Sequence, residues 1–146
     1  MKRHNLDLEN KKYPEETLEK NINSFDEDDW YSISSYQKLS EEFIEKHSDK
    51  VSWTNISYCQ KLSEKFIEKY SNKLNWYWIS ASKKLSEKFI EKHSDKVVWE
   101  FISELQSLSE EFIIKHLDKI SVFWLMENKK ISNKIKKEIK TLKEII

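Results

Sequence analysis

The chain contains no glycine and a single proline, Pro14. Without glycine no residue enters positive φ freely, which argues against phosphate-cradling loops, type I′ hairpins and glycine-terminated helices. The expectation moves away from β structure and nucleotide-binding loops, towards helices joined by short polar turns. Cysteine is just as scarce. Cys59 stands alone, so neither an internal disulfide nor a zinc cluster of thiolates can be built. No apolar run approaches the roughly 20 residues that span a bilayer. The basic start, Lys2-Arg3-His4, leads into no apolar stretch and does not read as a signal peptide. A soluble protein of a reducing, cytoplasmic compartment is the expectation. Arginine is absent after Arg3, which weakens any nucleic-acid reading, because Arg dominates phosphate and base recognition.

Charge and aromatic rings are abundant. Lys and Arg total 26 and so do Asp and Glu, so the chain is formally neutral. Asn128–Ile146, with seven Lys against two Glu, leans to one sign, as an anionic contact or an amphipathic cap with a lysine-rich outer face. Aromatic residues make up 13% of the chain, a class in which disordered proteins are poor. Each such ring buries roughly 150–250 Å², so a length of 146 residues suffices for one domain with a thin core of large side chains.

Those rings recur with a fixed period. Trp30, Trp53, Trp76 and Trp99 are each 23 residues apart. The same spacing relates Ile33, Ile56, Ile79 and Ile102; Ser34, Ser57, Ser80 and Ser103; and Phe43, Phe66, Phe89 and Phe112. The unit carries two helix starts. Ser40, Ser63, Ser86 and Ser109 each precede an acidic first turn, the pattern of a serine N-cap. Leu39 and Ile44 flank that cap at the spacing of a hydrophobic staple. The second start falls just before the tryptophans, where Asp29, Ser52, Asn75 and Ser121 are expected N-caps and Val98 is the exception. Each unit therefore reads as two helices of about 8 and 9 residues. Isolated helices shorter than about 12–15 residues are marginal in water, so neighbours must stack to bury a shared core.

The fold class predicted is all-α: an α-solenoid of short two-helix repeats, αα-hairpins with atypical caps at both ends. Residues 1–29 form an N-terminal segment in which Tyr13–Lys20 aligns with Leu39–Lys46 as a degenerate capping repeat. Residues 30–121 are four tandem repeats. Residues 122–146 hold a partial repeat, with Val122 at the tryptophan position and Trp124 two places later. Ile131, Ile135, Ile139, Leu142 and Ile146 form the apolar stripe of a final, longer helix.

The segments Leu39–Val51 and Trp76-Tyr77-Trp78-Ile79-Ser80 resemble a short tandem helical repeat of uncharacterised proteins from giant DNA viruses and their relatives. The resemblance covers about residues 30–121. It implies a viral or AT-rich origin and, if the origin is viral, interference with a host factor; it implies no activity.

Recurrence also weighs on the candidate sites. His47, His93 and His116 recur in register, with Tyr70 in the same place in one unit. Packed helices lie about 8–10 Å apart, whereas zinc holds its ligands within about 2.1 Å. A metal site is not expected there; the position borders the buried face and suits a packing ring. The Glu and Lys runs read as first-turn acids and a solvated face rather than paired catalytic carboxylates. Cys59 reads as a small, partly buried hydrophobe. No nucleophile elbow is possible without glycine. No enzyme activity and no cofactor are expected.

Trp30, Trp53, Trp76 and Trp99, with Phe43, Phe66, Phe89 and Phe112, are the predicted repeat core. Specificity is expected where the repeat varies, on the first helix. Tyr31, Tyr58, Tyr77, Trp78 and Phe101 fall there, with the Tyr/Trp enrichment of binding hot spots. The predicted function is a non-catalytic scaffold for a protein or peptide, with drift on a solvated surface as the competing explanation of the variation. The alternative function is a small-ligand or nucleic-acid binder using stacked aromatics and lysines.

Overall fold

The structure, a computed structural model, describes residues 4–146. Among them every regular element is helical: eleven α-helices and one 3₁₀ turn, Ile22–Ser24. The chain divides into two compact units, the first ending at Asn75 and the second running from Trp76 to Ile146. Each is a stack of two-helix repeats of the α-solenoid class.

In the first unit the tryptophan-bearing helices are α2 (Glu27–Tyr36) and α4 (Trp53–Cys59), which pack on one another. They alternate with α1 (Glu15–Lys20), α3 (Glu41–Lys46) and α5 (Glu64–Lys69). In the second unit α6 (Trp76–Ser82), α8 (Trp99–Leu105) and α10 (Val122–Glu127) form the corresponding series, with α8 packed against both α6 and α10. Their partners are α7 (Glu87–Lys92), α9 (Glu110–Lys115) and α11 (Asn133–Ile145).

Most of the helices are shorter than the sequence suggested, typically 7 and 6 residues. A turn closes each second helix early. After α3 the N–H of His47 returns to Phe43 and those of Lys50 and Val51 both return to His47. These turns reach only negative φ, with no positive-φ residue among those described, which is how a chain without glycine ends its helices.

Side-chain caps hold the second helices. The hydroxyls of Ser40, Ser63, Ser86 and Ser109 accept the N–H of Phe43, Phe66, Phe89 and Phe112 at 3.1–3.2 Å. The expected caps of the first helices need correction. Helix α2 begins at Glu27, its cap is Asp26, and Asp29 is the third helical residue, closing a capping box back onto Asp26. Ser52 and Ser121 do hold the cap position, but neither makes a side-chain cap bond. The preceding repeat instead holds the backbone N–H of the cap residue itself, the bond that the third helical residue makes in a capping box. Ser34 accepts the Ser52 N–H at 2.9 Å, Ser57 that of Asn75 at 2.8 Å, Ser80 that of Val98 at 2.9 Å and Ser103 that of Ser121 at 3.0 Å.

The core of the first unit is a line of fully buried residues: Leu18, Ile33, Ile44, Ile56 and Ile67. In the second unit Ile79, Ile90, Ile102, Ile113, Leu125 and Ile139 continue the register. Each buried aliphatic chain contributes about 1.5–3 kcal/mol, which the short helices need in order to persist. Leu18 places α1 in the register of a second helix, as the alignment of Tyr13–Lys20 requires. The C-terminal stripe is less regular than expected. Ile131 precedes α11 and Ile139 is buried within it, but Leu142 and Ile146 are exposed. No helix among the described residues is long and apolar enough to cross a membrane.

Candidate functional site

Most recurring polar residues are consumed by the scaffold. Gln60 is buried and bonds in three directions: its amide N donates to the carbonyls of Ser34 and Gln37 at 2.8 and 2.7 Å, and its oxygen accepts the Leu39 N–H at 3.0 Å. Gln37 does the same for the N-terminal segment through Leu8, Lys11 and Tyr13. In the second unit Gln106 accepts from Leu85 and donates to the Lys83 carbonyl, while Asn128 reaches the carbonyls of Ser103 and Gln106. Sequence reasoning missed this row. Its signal was the seventh residue after each tryptophan, an amide in three of the four repeats.

A second set of contacts joins the short helices. Glu41 accepts from both the backbone N–H and the hydroxyl of Ser63, at 2.6 and 3.1 Å; Glu15 holds Ser40 and Glu87 holds Ser109 in the same way. First-turn acids thus act on the cap of the next repeat as well as on their own helix dipole.

The recurring histidines are packing rings. His47 lies 5.3 Å from Trp30 and 4.6 Å from Phe43, and His116 lies 5.4 Å from Trp99 and 4.5 Å from Phe112. Tyr70 occupies the same niche, 5.1 Å from Trp53 and 4.7 Å from Phe66. The polar tip of each ring turns to a glutamate one repeat back. His47 Nε2 is 2.8 Å from Glu19 and His116 Nε2 is 3.5 Å from Glu91, while burial, and after it Glu45, raises the Tyr70 hydroxyl above its ordinary value. These contacts perturb the acids. Glu19 is held below the ordinary carboxylate value, first by its bond to His47 and then by Lys46. Glu45 and Glu91 are lowered chiefly by Lys69 and Lys115, whose own ammonium groups are raised in return. Among the described residues no group of three His, Cys, Asp or Glu side chains is placed to hold a metal ion.

Of the predicted core, Phe43, Phe66, Phe89, Phe112 and Trp30 are buried, whereas Trp53, Trp76 and Trp99 are half-buried. The indole N–H of Trp53 donates to Ser48 and that of Trp99 to Ser94, both at 2.9 Å. Lys73, Lys96 and Lys119 lie 5.4–5.7 Å over Trp53, Trp76 and Trp99. The chain's own cations therefore cover these rings. Cys59 is exposed, contrary to the partly buried position expected, because the sixth residue after the tryptophan falls at the solvent side of α4.

The variable residues sit where a partner could reach them. Tyr31 and Tyr58 are more than half exposed on α2 and α4. In the second unit Tyr77, Trp78 and Phe101 meet. Tyr77 lies 4.9 Å from Trp78 at 89° and 4.8 Å from Phe101 at 84°, both edge-to-face. Sequence reasoning left out Phe123, which is 70% exposed and lies edge-to-face with Trp124 at 5.0 Å. Its signal was the repeat register continued one unit further, from Val122.

A groove of about 560 Å³ at the C-terminal ends of α6, α8 and α10 contains Lys83, Lys84, Lys129 and Lys130. Lys130 donates to the terminal carbonyl of Leu105, so it caps a helix end. A comparable groove in the first unit is lined by Phe25, Trp30, Tyr31 and Lys50.

Helices of this length, joined by contacts that recur from repeat to repeat, define a helical-repeat protein. No family model matches the chain, and no curated protein or solved structure is significantly similar to it.

Proposed function

We propose that the protein is a non-catalytic helical-repeat scaffold that binds another protein, or a peptide, through the exposed residues of its first helices. One observation carries this reading. The Ser, Gln, Glu, His and Phe positions are committed to internal contacts, while large rings stand exposed at the positions that differ from repeat to repeat. Exposed aromatic side chains in a patch are the raw material of an interaction surface. The resemblance to repeat proteins of giant DNA viruses extends the proposal to a host factor as the partner.

The test is affinity capture from a host-like lysate. Wild type is compared with a variant in which Tyr31, Tyr58, Tyr77 and Trp78 are alanine and whose far-UV circular dichroism is unchanged. A protein held by the wild type and released by the variant supports the reading. Equal retention, or none, removes it and turns attention to small ligands in the two grooves.

A further inference from the structure

The second unit places a carboxylate among aromatic rings. On α6, α8 and α10 the residue after the repeat tryptophan position is Tyr77, Glu100 and Phe123, and the next is Trp78, Phe101 and Trp124. Because α8 packs between α6 and α10, Glu100 is flanked in register by Tyr77 on one neighbour and Phe123 on the other. Behind it the adjoining row is aromatic throughout. Glu100, Tyr77 and Phe123 are exposed; Trp78, Phe101 and Trp124 are half-buried.

The three helices that carry these residues contain no Lys or Arg, although the second helices α7 and α9 do. Their remaining acids, Glu104 and Glu127, add to the same sign of charge. The lysines of the adjoining groove lie at the helix ends, where Lys130 already serves the Leu105 carbonyl. A carboxylate supplies a charge-assisted hydrogen bond to an ammonium or guanidinium group. Exposed ring faces attract the same cation through their quadrupole. An acidic segment would meet like charge here and no cation on the helices.

Resting on the binding-scaffold reading, we infer that the face centred on Glu100, Tyr77 and Phe101 binds a Lys- or Arg-bearing linear segment of a partner protein. One cationic side chain lies against Tyr77 and Phe101 with its charge at Glu100. The first unit lacks this arrangement: the corresponding pairs are Tyr31-Ser32 on α2 and Thr54-Asn55 on α4.

The experiment is selection of a random peptide display library on the intact chain, followed by titration of the selected synthetic peptides against wild type and four variants. These are Glu100→Gln, Tyr77→Ala, Phe101→Ala and, as a control on a second helix, Glu42→Gln, each checked by circular dichroism and thermal melting. The expected result is enrichment of Lys and Arg in the selected peptides, with binding weakened about tenfold or more by the first three substitutions. Glu42→Gln leaves binding unchanged.

Selection of neutral or acidic peptides that still depend on Tyr77 and Phe101 but ignore Glu100→Gln overturns the cationic assignment and leaves the scaffold reading standing. Peptides indifferent to all four variants, or no enrichment, overturn both. Self-association in sedimentation that Tyr77→Ala abolishes assigns the face to a second copy of this chain, which also overturns the inference.

Discussion

The hydroxyl of Ser80, fully buried on α6, accepts the backbone N–H of Val98 at 2.9 Å. Val98 opens α8 with a side chain that cannot cap anything, and the helix forms all the same. The backbone N–H of the cap residue is satisfied from the previous repeat, so this part of the helix start is a tertiary feature. Ser80→Ala is expected to cost about 1–3 kcal/mol, the penalty for orphaning a buried N–H. Val98→Ser is expected to change stability by less than about 0.5 kcal/mol, because Ser52 and Ser121 stand at the same position and make no side-chain cap bond. Urea unfolding of both variants checks the pair, and a stabilising Val98→Ser would show that the local cap matters after all.

Gln60 makes three buried hydrogen bonds, to Ser34, Gln37 and Leu39. Gln60→Met preserves most of the volume but leaves two carbonyls and one N–H without this partner. Each orphaned group costs about 1–3 kcal/mol, so the variant is expected to be among the most destabilised. Relief by water entering the site would appear as a loss below about 1 kcal/mol.

Phe66 packs between Trp53 and Tyr70 and is buried. Phe66→Ala is expected to cost about 3–5 kcal/mol as a core aromatic. Tyr70→His is expected to be mild, since His47 fills the equivalent niche and turns to Glu19 as Tyr70 turns to Glu45. Thermal melts rank the two, and equal losses would contradict the shared role of the niche.

The contacts of Glu19, Glu45 and Glu91 with the next repeat also set a pH dependence. Glu19, Glu45 and Glu91 have folded pKa values below the ordinary 4.5. Depressed acids contribute stability above their unfolded value and lose it as pH falls through the folded one. Lys69 and Lys115 are raised above the ordinary 10.5, so their contribution is present below that value and lost at higher pH. Melting temperature is expected to decline below about pH 4.5 and again above about pH 10.5, with little change between from these groups. The Glu45–Lys69 and Glu91–Lys115 pairs are solvent-exposed, so about 1 M salt should shrink both declines. Glu91→Gln is expected to flatten the acid limb, and an unaltered limb would remove Glu91 from the account.

The repeat, its helical class and the Ile and Phe positions of its core are legible in the sequence, whereas the burial of Trp53, Trp76 and Trp99 is not. Period and burial coincide at Ile33, Ile56, Ile79 and Ile102, because a buried helix face accepts little else, and a chain without glycine has few alternatives to helix. Serine caps such as Ser63 were equally legible, since the bond runs only three residues along the chain. Contacts made between repeats were not. It takes the packed repeats to show that Ser34 holds the N–H of the next cap residue, that Gln60 binds two backbone carbonyls and that Glu41 holds Ser63. Each of these bonds joins residues 18 to 26 apart, with no local rule to announce it. The same holds for Tyr77 with Phe101 and for Glu100 in register between Tyr77 and Phe123. Sequence shows that such residues vary, but only the packing of α6, α8 and α10 brings them onto one face.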